Sequence, residues 1–252
     1  MIQTSFPFKI TFMKKIFWVD PYLTKLETKV LQIQGNEVVF EETIGYSESG
    51  GQESDKVSVN GMQVLTSRMD KIDPYYIYYT FPEGHGLSVS DKVIMEIDWA
   101  RRNRLMRHHF TCELVLILMN RLFNKTPDGI ELQPEEIDTV IKKRGAHMSD
   151  TGARVDFECA TNISEYFPAI LHEFNKIIAA DLFIEKGFLD EAKQIRYWKL
   201  KGIAMVPCGG THVRSTGEIG EVELKRDRAN KGVERIRISL KDAGPTSNST
   251  II

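Results

Sequence analysis

From Lys14 to Asp98 apolar and polar residues alternate in short runs: KLETKVLQIQG, EVVFEETIGY, DKVSVNG, MQVLTSRM, PYYIYYTF and DKVIMEID. A period of two puts alternate side chains on opposite faces of an extended strand, and the Gly, Asn, Asp and Pro residues between the runs close them into hairpins. A small β-rich, barrel-like domain over residues 14–97 is predicted. After Asp98 the period lengthens. In WARRNRLMRHHFTCELVLILMNRLF, Leu105, Phe110, Leu114, Leu118 and Leu122 recur at helical intervals with no Gly or Pro inside. This predicts a helix of about six or seven turns. GARVDFECA follows as a strand. SEYFPAILHEFNKIIAADLF then reads as a second long helix, capped by Asn162 or Ser164, with Pro168 in the first turn where proline is tolerated. GEIGEVELKR and GVERIRISL end the ordered region as strands. The expected fold class is α+β: an N-terminal β-barrel-like domain, then an α+β domain over residues 98–243 carrying the long helix. Residues 1–13 are expected to form an extension and GPTSNSTII, within 244–252, a disordered tail, and no internal repeat is found.

Composition narrows the setting. With 33 basic and 35 acidic side chains the net charge is -2, so any surface for nucleic acid or membrane must be local. Cys112, Cys159 and Cys208 are too few and too scattered for a disulfide framework, which fits a reducing, cytoplasmic setting. The opening MIQTSFPFKITFMKKIFW lacks a signal-peptide pattern, and no run of about 18 apolar residues is present to span a bilayer. Neither export nor membrane insertion is expected.

The chemistry concentrates in two places. On the long helix His109 and Glu113 are four apart and so share a face. Cys208 and His212 repeat that separation across Gly209 and Gly210, a pair that favours a turn aiming thiolate and imidazole at one point. His, Glu, Cys and His together suit Zn²⁺. Each pair taken alone also reads as something plainer: a solvated ion pair on the helix, and an inert loop cysteine.

The blocks CGGTHV and STGEIG, with YSESGGQESD at 46–55 and the helix DWARRNRLMRHHFTCEL, resemble in order and spacing the editing region of alanyl-tRNA synthetases and their freestanding editing relatives. The resemblance spans roughly residues 14 to 240, and CGGTH is its most specific block. It implies a zinc site and hydrolysis of tRNA(Ala) mischarged with serine or, in some members, glycine. With no aminoacylation domain here, the chain would act in trans on the acceptor end of an already charged tRNA. The oligomeric state is not implied.

Carried over residue by residue, Cys208, His212 and His109 match the family pattern, but its HxxxH is HFTCE here, with Glu113 in the second histidine's place. Three arrangements follow. Glu113 is a fourth ligand, giving an electrically neutral and weaker Lewis-acid site; or three residues hold zinc and Glu113 is the general base; or the site is empty and activity lost. For the hydrolysis, Gly50 and Gly51 offer backbone N–H groups to the developing oxyanion, and Gln52 an amide to orient water or bind the terminal adenosine. Ser49 and Thr211 are candidates for sensing a serine hydroxyl, and Gly209 and Gly210 line the same substrate region. ESGGQ also reads as an ordinary hairpin turn. Basic residues cluster at Arg101, Arg102, Arg104 and Arg107 and again at Lys225, Arg226, Arg228 and Lys231, candidates for tRNA phosphates or a solvated face. His85, His108, His147 and His172 match no ligand position. Two function classes result: a zinc-containing deacylase, or a protein that binds tRNA or another partner without turnover.

Overall fold

The computed structural model describes residues 12–70, 73–123, 142–158, 162–230 and 232–241. The proposed tail, most of the N-terminal extension, Cys159 and Lys231 lie outside the described residues, and Arg228 is described in its backbone only. The chain divides into two units: residues 1–47 with 56–97, and residues 48–55 with 98–252. The SGGQ stretch, expected within the first domain, thus groups with the second.

In the first unit the alternating runs form strands where expected. These are β1 (Lys14–Lys15), β2 (Lys25–Gln34), β3 (Glu37–Phe40), β4 (Glu42–Thr43), β5 (Val57–Val59), β6 (Met62–Gln63), β7 (Thr66–Met69), β8 (Ile77–Thr80) and β9 (Lys92–Ile97). Seven of them make an antiparallel sheet in the order β6-β5-β9-β2-β3-β8-β7. Its edge strands β6 and β7 are consecutive in the chain, so the sheet curls back on itself. Val93, Met95 and Ile97 alternate inward from β9 to meet Val38, Phe40, Ile77 and Tyr79 in one buried cluster, as the period of two requires. Met13, assigned to the extension, is buried in that cluster.

In the second unit the long helix α1 (Trp99–Phe123) occupies the expected span. Asp98 starts it, its carboxylate accepting from Arg101 N at 3.0 Å. The next strands are β10 (Lys142–Met148) and β11 (Ala153–Glu158), followed by α2 (Phe167–Ala179). Asn162 caps a short 3₁₀ turn before α2, and Pro168 falls in the helix's first turn. β12 (Glu185–Asp190), β13 (Ile195–Leu200) and β14 (Ala204–Pro207) form a three-stranded sheet not foreseen from the sequence. β15 (Val222–Asn230) and β16 (Val233–Leu240) complete a four-stranded antiparallel sheet ordered β10-β11-β16-β15, against which α1 packs. No helix among the described residues is long and apolar enough to cross a membrane.

Candidate metal centre

Two turns of one helix and one loop build the centre. α1 carries His109 and Glu113 on a shared face, and the chain leaving β14 carries Cys208 and His212. Their ligand atoms all lie within 4.8 Å of one another. His212 Nε2 is 2.9 Å from Glu113 Oε2, His109 Nε2 is 3.6 Å from Glu113 Oε1, and Cys208 Sγ is 3.5 Å from His109 Nε2. Donors around a tetrahedral zinc at about 2.0–2.3 Å stand roughly 3.3–3.8 Å from each other, close to the 3.5 and 3.6 Å separations of His109 from Cys208 and Glu113. Cys112, beside Glu113 in sequence, is buried with its thiol pushed up by that burial, which leaves Cys208 as the site's thiolate.

The loop is held by backbone and by close packing. Cys208 N donates to Arg196 O at 2.9 Å, and Gly210 N reaches Cys208 Sγ at 3.4 Å. A Cβ at Gly210 would overlap the His109 ring, so only glycine lets the loop come this near the helix.

The other support comes from SGGQ. Ser49 and Gln52 exchange backbone hydrogen bonds of 3.2 and 3.0 Å around Gly50 and Gly51, both at positive φ (61° and 91°), a two-residue hairpin turn that glycine suits. The turn delivers Gln52 into the interior, where it is 0% exposed. Gln52 Oε1 accepts from His109 Nδ1 at 2.6 Å and from Thr211 N at 3.1 Å, while Nε2 donates to Thr211 Oγ1 at 2.8 Å. With Nδ1 thereby protonated, the lone pair of neutral His109 lies on Nε2, the nitrogen facing the cluster. Gln52 thereby positions His109: its amide oxygen bonds His109 and Thr211 N, and its amide nitrogen bonds Thr211 Oγ1.

Sequence reasoning missed two supports. Trp198 on β13 donates from Nε1 to Glu113 Oε2 at 2.8 Å, and Lys186 on β12 donates to His212 O at 3.1 Å. Both lie on the unforeseen sheet, and no spacing along the chain marks them. Phe110 and Trp198 pack with ring centroids 4.8 Å apart, and Phe110 meets the His212 ring edge-on at 6.0 Å.

Burial opposes charge on all four candidate ligands, and their mutual attraction overcomes it. Burial pulls His109 down, but the Cys208 thiolate and Glu113 carboxylate hold it up at about 10. The same two anions raise His212 against its own burial. Burial pushes the Cys208 thiol up, yet His109 and His212 bring it down to about 6. Glu113, despite its burial, is held by the two imidazoles well below the usual carboxylate range. Protons on the imidazoles thus balance the charge a dication would balance, and the two compete for the site.

The helix arginines do not form the basic face expected of them. Arg102 is 0% exposed and forks onto Asp55, with Nε at 2.9 Å from Oδ1. Arg107 is buried, with Nε and Nη2 both donating to Ile219 O at 3.0 and 2.6 Å. These two are corrected from candidate phosphate contacts to internal braces, because their donors are consumed in the interior. Arg101 pairs with Glu53 and Asp150, and half-buried Arg104 with Asp150. Arg226 forks onto Glu234, and Lys225 stands exposed beside Glu223 at 3.3 Å. Ser49 is half-buried at the turn and Thr211 is buried beneath it, while a Cβ at Gly209 would meet open space.

The sequence model of the family described as the threonyl and alanyl tRNA synthetase second additional domain matches residues 197–237, which include Trp198, Cys208 and His212. Similarity to curated proteins extends much further. The chain is 27% identical over 241 residues to the alanyl-tRNA editing protein AlaX-M of Pyrococcus horikoshii, covering 92% of this chain and 100% of that protein. A protein of the same name from Saccharolobus solfataricus is 27% identical over 251 residues, covering 90% of this chain and 99% of the relative. The alanine–tRNA ligase of Methanococcus aeolicus is 25% identical over 241 residues, 88% of this chain but 25% of the ligase.

Proposed function

Because the chain belongs with the alanyl-tRNA editing proteins, we propose that it is a trans-acting deacylase that hydrolyses the aminoacyl ester of mischarged tRNA(Ala), with serine the amino acid removed. The observation that carries this reading is the convergence of His109, Glu113, Cys208 and His212 to within 4.8 Å, with SGGQ and CGGTH meeting through Gln52 and Thr211. A tRNA-binding role alone gives no reason for such a cluster.

His109, Glu113, Cys208 and His212 would hold Zn²⁺. When bound, the ion supplies Lewis-acid charge, tempered because thiolate and carboxylate together neutralise it. We take Glu113 as a ligand because its oxygens face the Nε2 atoms of both imidazoles.

The chain's own residues do the rest. Hydrolysis adds water to the ester carbonyl, charge builds on the carbonyl oxygen, and the C–O bond to the ribose breaks to leave a hydroxyl and a free amino acid. The N–H groups at the Gly50–Gly51 tip are the donors assigned to that oxygen; the side of Gly50 is open, whereas Ala146 O packs against Gly51. Thr211 accepts from Gln52 Nε2 and keeps its own hydroxyl proton to donate, which suits it, with Ser49, to sense the serine hydroxyl.

Serine-charged and alanine-charged tRNA(Ala), incubated separately with the purified protein, test the proposal. Serine is expected to be released faster than alanine, with about one zinc per chain by elemental analysis. Equal background release from both substrates overturns the deacylase reading.

A further inference from the structure

The sheet β10-β11-β16-β15 carries a row of basic residues that runs across the strands, not along the chain. Its register sets His147 opposite Arg154, Arg154 opposite Arg237, and Arg237 opposite Lys225. Each of the four strands therefore contributes one basic side chain at the same level. At about 4.8 Å between strands the row is about 14 Å long. Ala153 and Val155, which flank Arg154, are buried, so by alternation the row points to the opposite face. His147, Arg154, Arg237 and Lys225, with Ser149 and Thr151, line a cleft of ≈ 380 Å³.

Each cation has a carboxylate nearby, but most of these carboxylates stand two residues along a strand, in the adjoining rows. Arg154 meets Asp156, Arg237 meets Asp227 at 2.7 Å, and Lys225 meets Glu223 at 3.3 Å. From there they steer the cations without covering them. Lys225 and Arg237 side chains remain 67% and 58% exposed. An arginine has five N–H donors, and a forked carboxylate takes two. Exposed pairs of this kind hold together by about 1 kcal/mol or less, little enough for phosphate to compete.

The row is also tied to the metal centre. Met148, next to His147, donates to Gly51 O at 2.7 Å and accepts from Glu53 N at 3.0 Å, and Gln52 between them holds His109. His147 Nε2 itself lies 3.1 Å from Glu53. A polyanion on the row would thus begin beside the loop that supports the candidate ligands. Exposed cations in a concave strip suit phosphodiester oxygens.

We propose that this row seats the sugar–phosphate backbone of the tRNA, with Arg154, Arg237 and Lys225 against successive phosphates. The identity of the RNA rests on the deacylase reading above, but the site does not.

The experiment measures binding of uncharged tRNA(Ala) transcript to the full-length zinc-loaded protein over a range of salt concentrations. Lys225→Gln and Arg237→Gln are each expected to weaken binding about three- to tenfold, and the double variant to flatten the slope of log affinity against log salt by about 1.5. Zinc content should stay that of the wild type, excluding a collapsed site. Lys193→Gln, exposed in the turn between β12 and β13, should leave affinity and slope unchanged. Double-variant binding and slope equal to wild type overturn the row even if the wild type hydrolyses seryl-tRNA. Loss of the slope in a protein that hydrolyses nothing would keep the row and sink the deacylase reading instead.

Discussion

Trp198 Nε1 donates 2.8 Å to Glu113 Oε2, the same oxygen that His212 Nε2 approaches at 2.9 Å. Groups from α1, β13 and the Cys208–His212 loop thereby meet at one carboxylate oxygen. The indole orients the residue at which this chain departs from the HxxxH pattern that its sequence resemblance implies. Trp198→Phe keeps an aromatic ring against Phe110 but removes the donor. Zinc affinity, measured by competition with a chelator, is expected to fall about 10- to 100-fold, as when the support behind a ligand is lost. Unchanged affinity would mean that Glu113 needs no such support or is not a ligand.

Gly210 is demanded by the His109 ring, which lies where its Cβ would be, while Gly209 faces open space. Gly210→Ala should push the imidazole from its bond with Gln52 and lower zinc affinity about 10- to 100-fold. Gly209→Ala should retain wild-type zinc affinity. If both alanines behave alike, the glycine pair serves the turn and not the contact.

His108 sits on the helix beside a candidate ligand but faces elsewhere. Burial, only partly offset by the Ser149 backbone, lowers it from 6.5 to about 4. A folded pKa below the unfolded one means that the unfolded chain takes up the proton first as pH falls. Stability from neutral His108 is therefore fully present above about 6.5 and is lost between there and about 4, a difference on the order of 3 kcal/mol. His108→Gln should be costly at neutral pH and show a shallower loss across this window in denaturant unfolding. Parallel pH profiles for the two proteins would count against it.

The candidate metal centre was legible because its two halves are local. His109 and Glu113 share a helix face by spacing alone, and Cys208 and His212 flank a glycine turn. α1 was legible because Leu105, Phe110, Leu114, Leu118 and Leu122 recur at helical intervals with no Gly or Pro inside, although its first turns are polar. β12 and β13 were not. β13 buries Arg196 alongside Trp198 and Leu200, which spoils the apolar alternation, and β12 has no fully buried residue to reveal a face. Hence Trp198 was missed. The arginines show the opposite error. Arg101, Arg102, Arg104 and Arg107 look like a basic patch when written in a line, but a helix turns about 100° per residue, sending Arg102 and Arg107 to separate buried acceptors while Arg101 and Arg104 share Asp150. The row His147, Arg154, Arg237 and Lys225 is dispersed in sequence and interleaved with acids, so only strand register gathers it.

The Arg102–Asp55 pair decides between these two views of the basic residues. Both side chains are fully buried and fork onto one another, so removing either partner strands a charge in the interior. Asp55→Asn or Arg102→Gln should cost about 3–5 kcal/mol, and a domain of this size should lose roughly 6–20 °C in Tm. Arg102→Met with Asp55→Leu removes both charges and should recover part of that loss, because no unpaired ion remains. At temperatures where Arg102→Gln is still folded, its affinity for tRNA(Ala) should match the wild type. A phosphate contact would give the reverse: unchanged Tm, weaker binding and a flatter salt dependence. Melting and binding measured on one preparation separate the two, and a drop in affinity without a drop in Tm would restore Arg102 to the RNA surface.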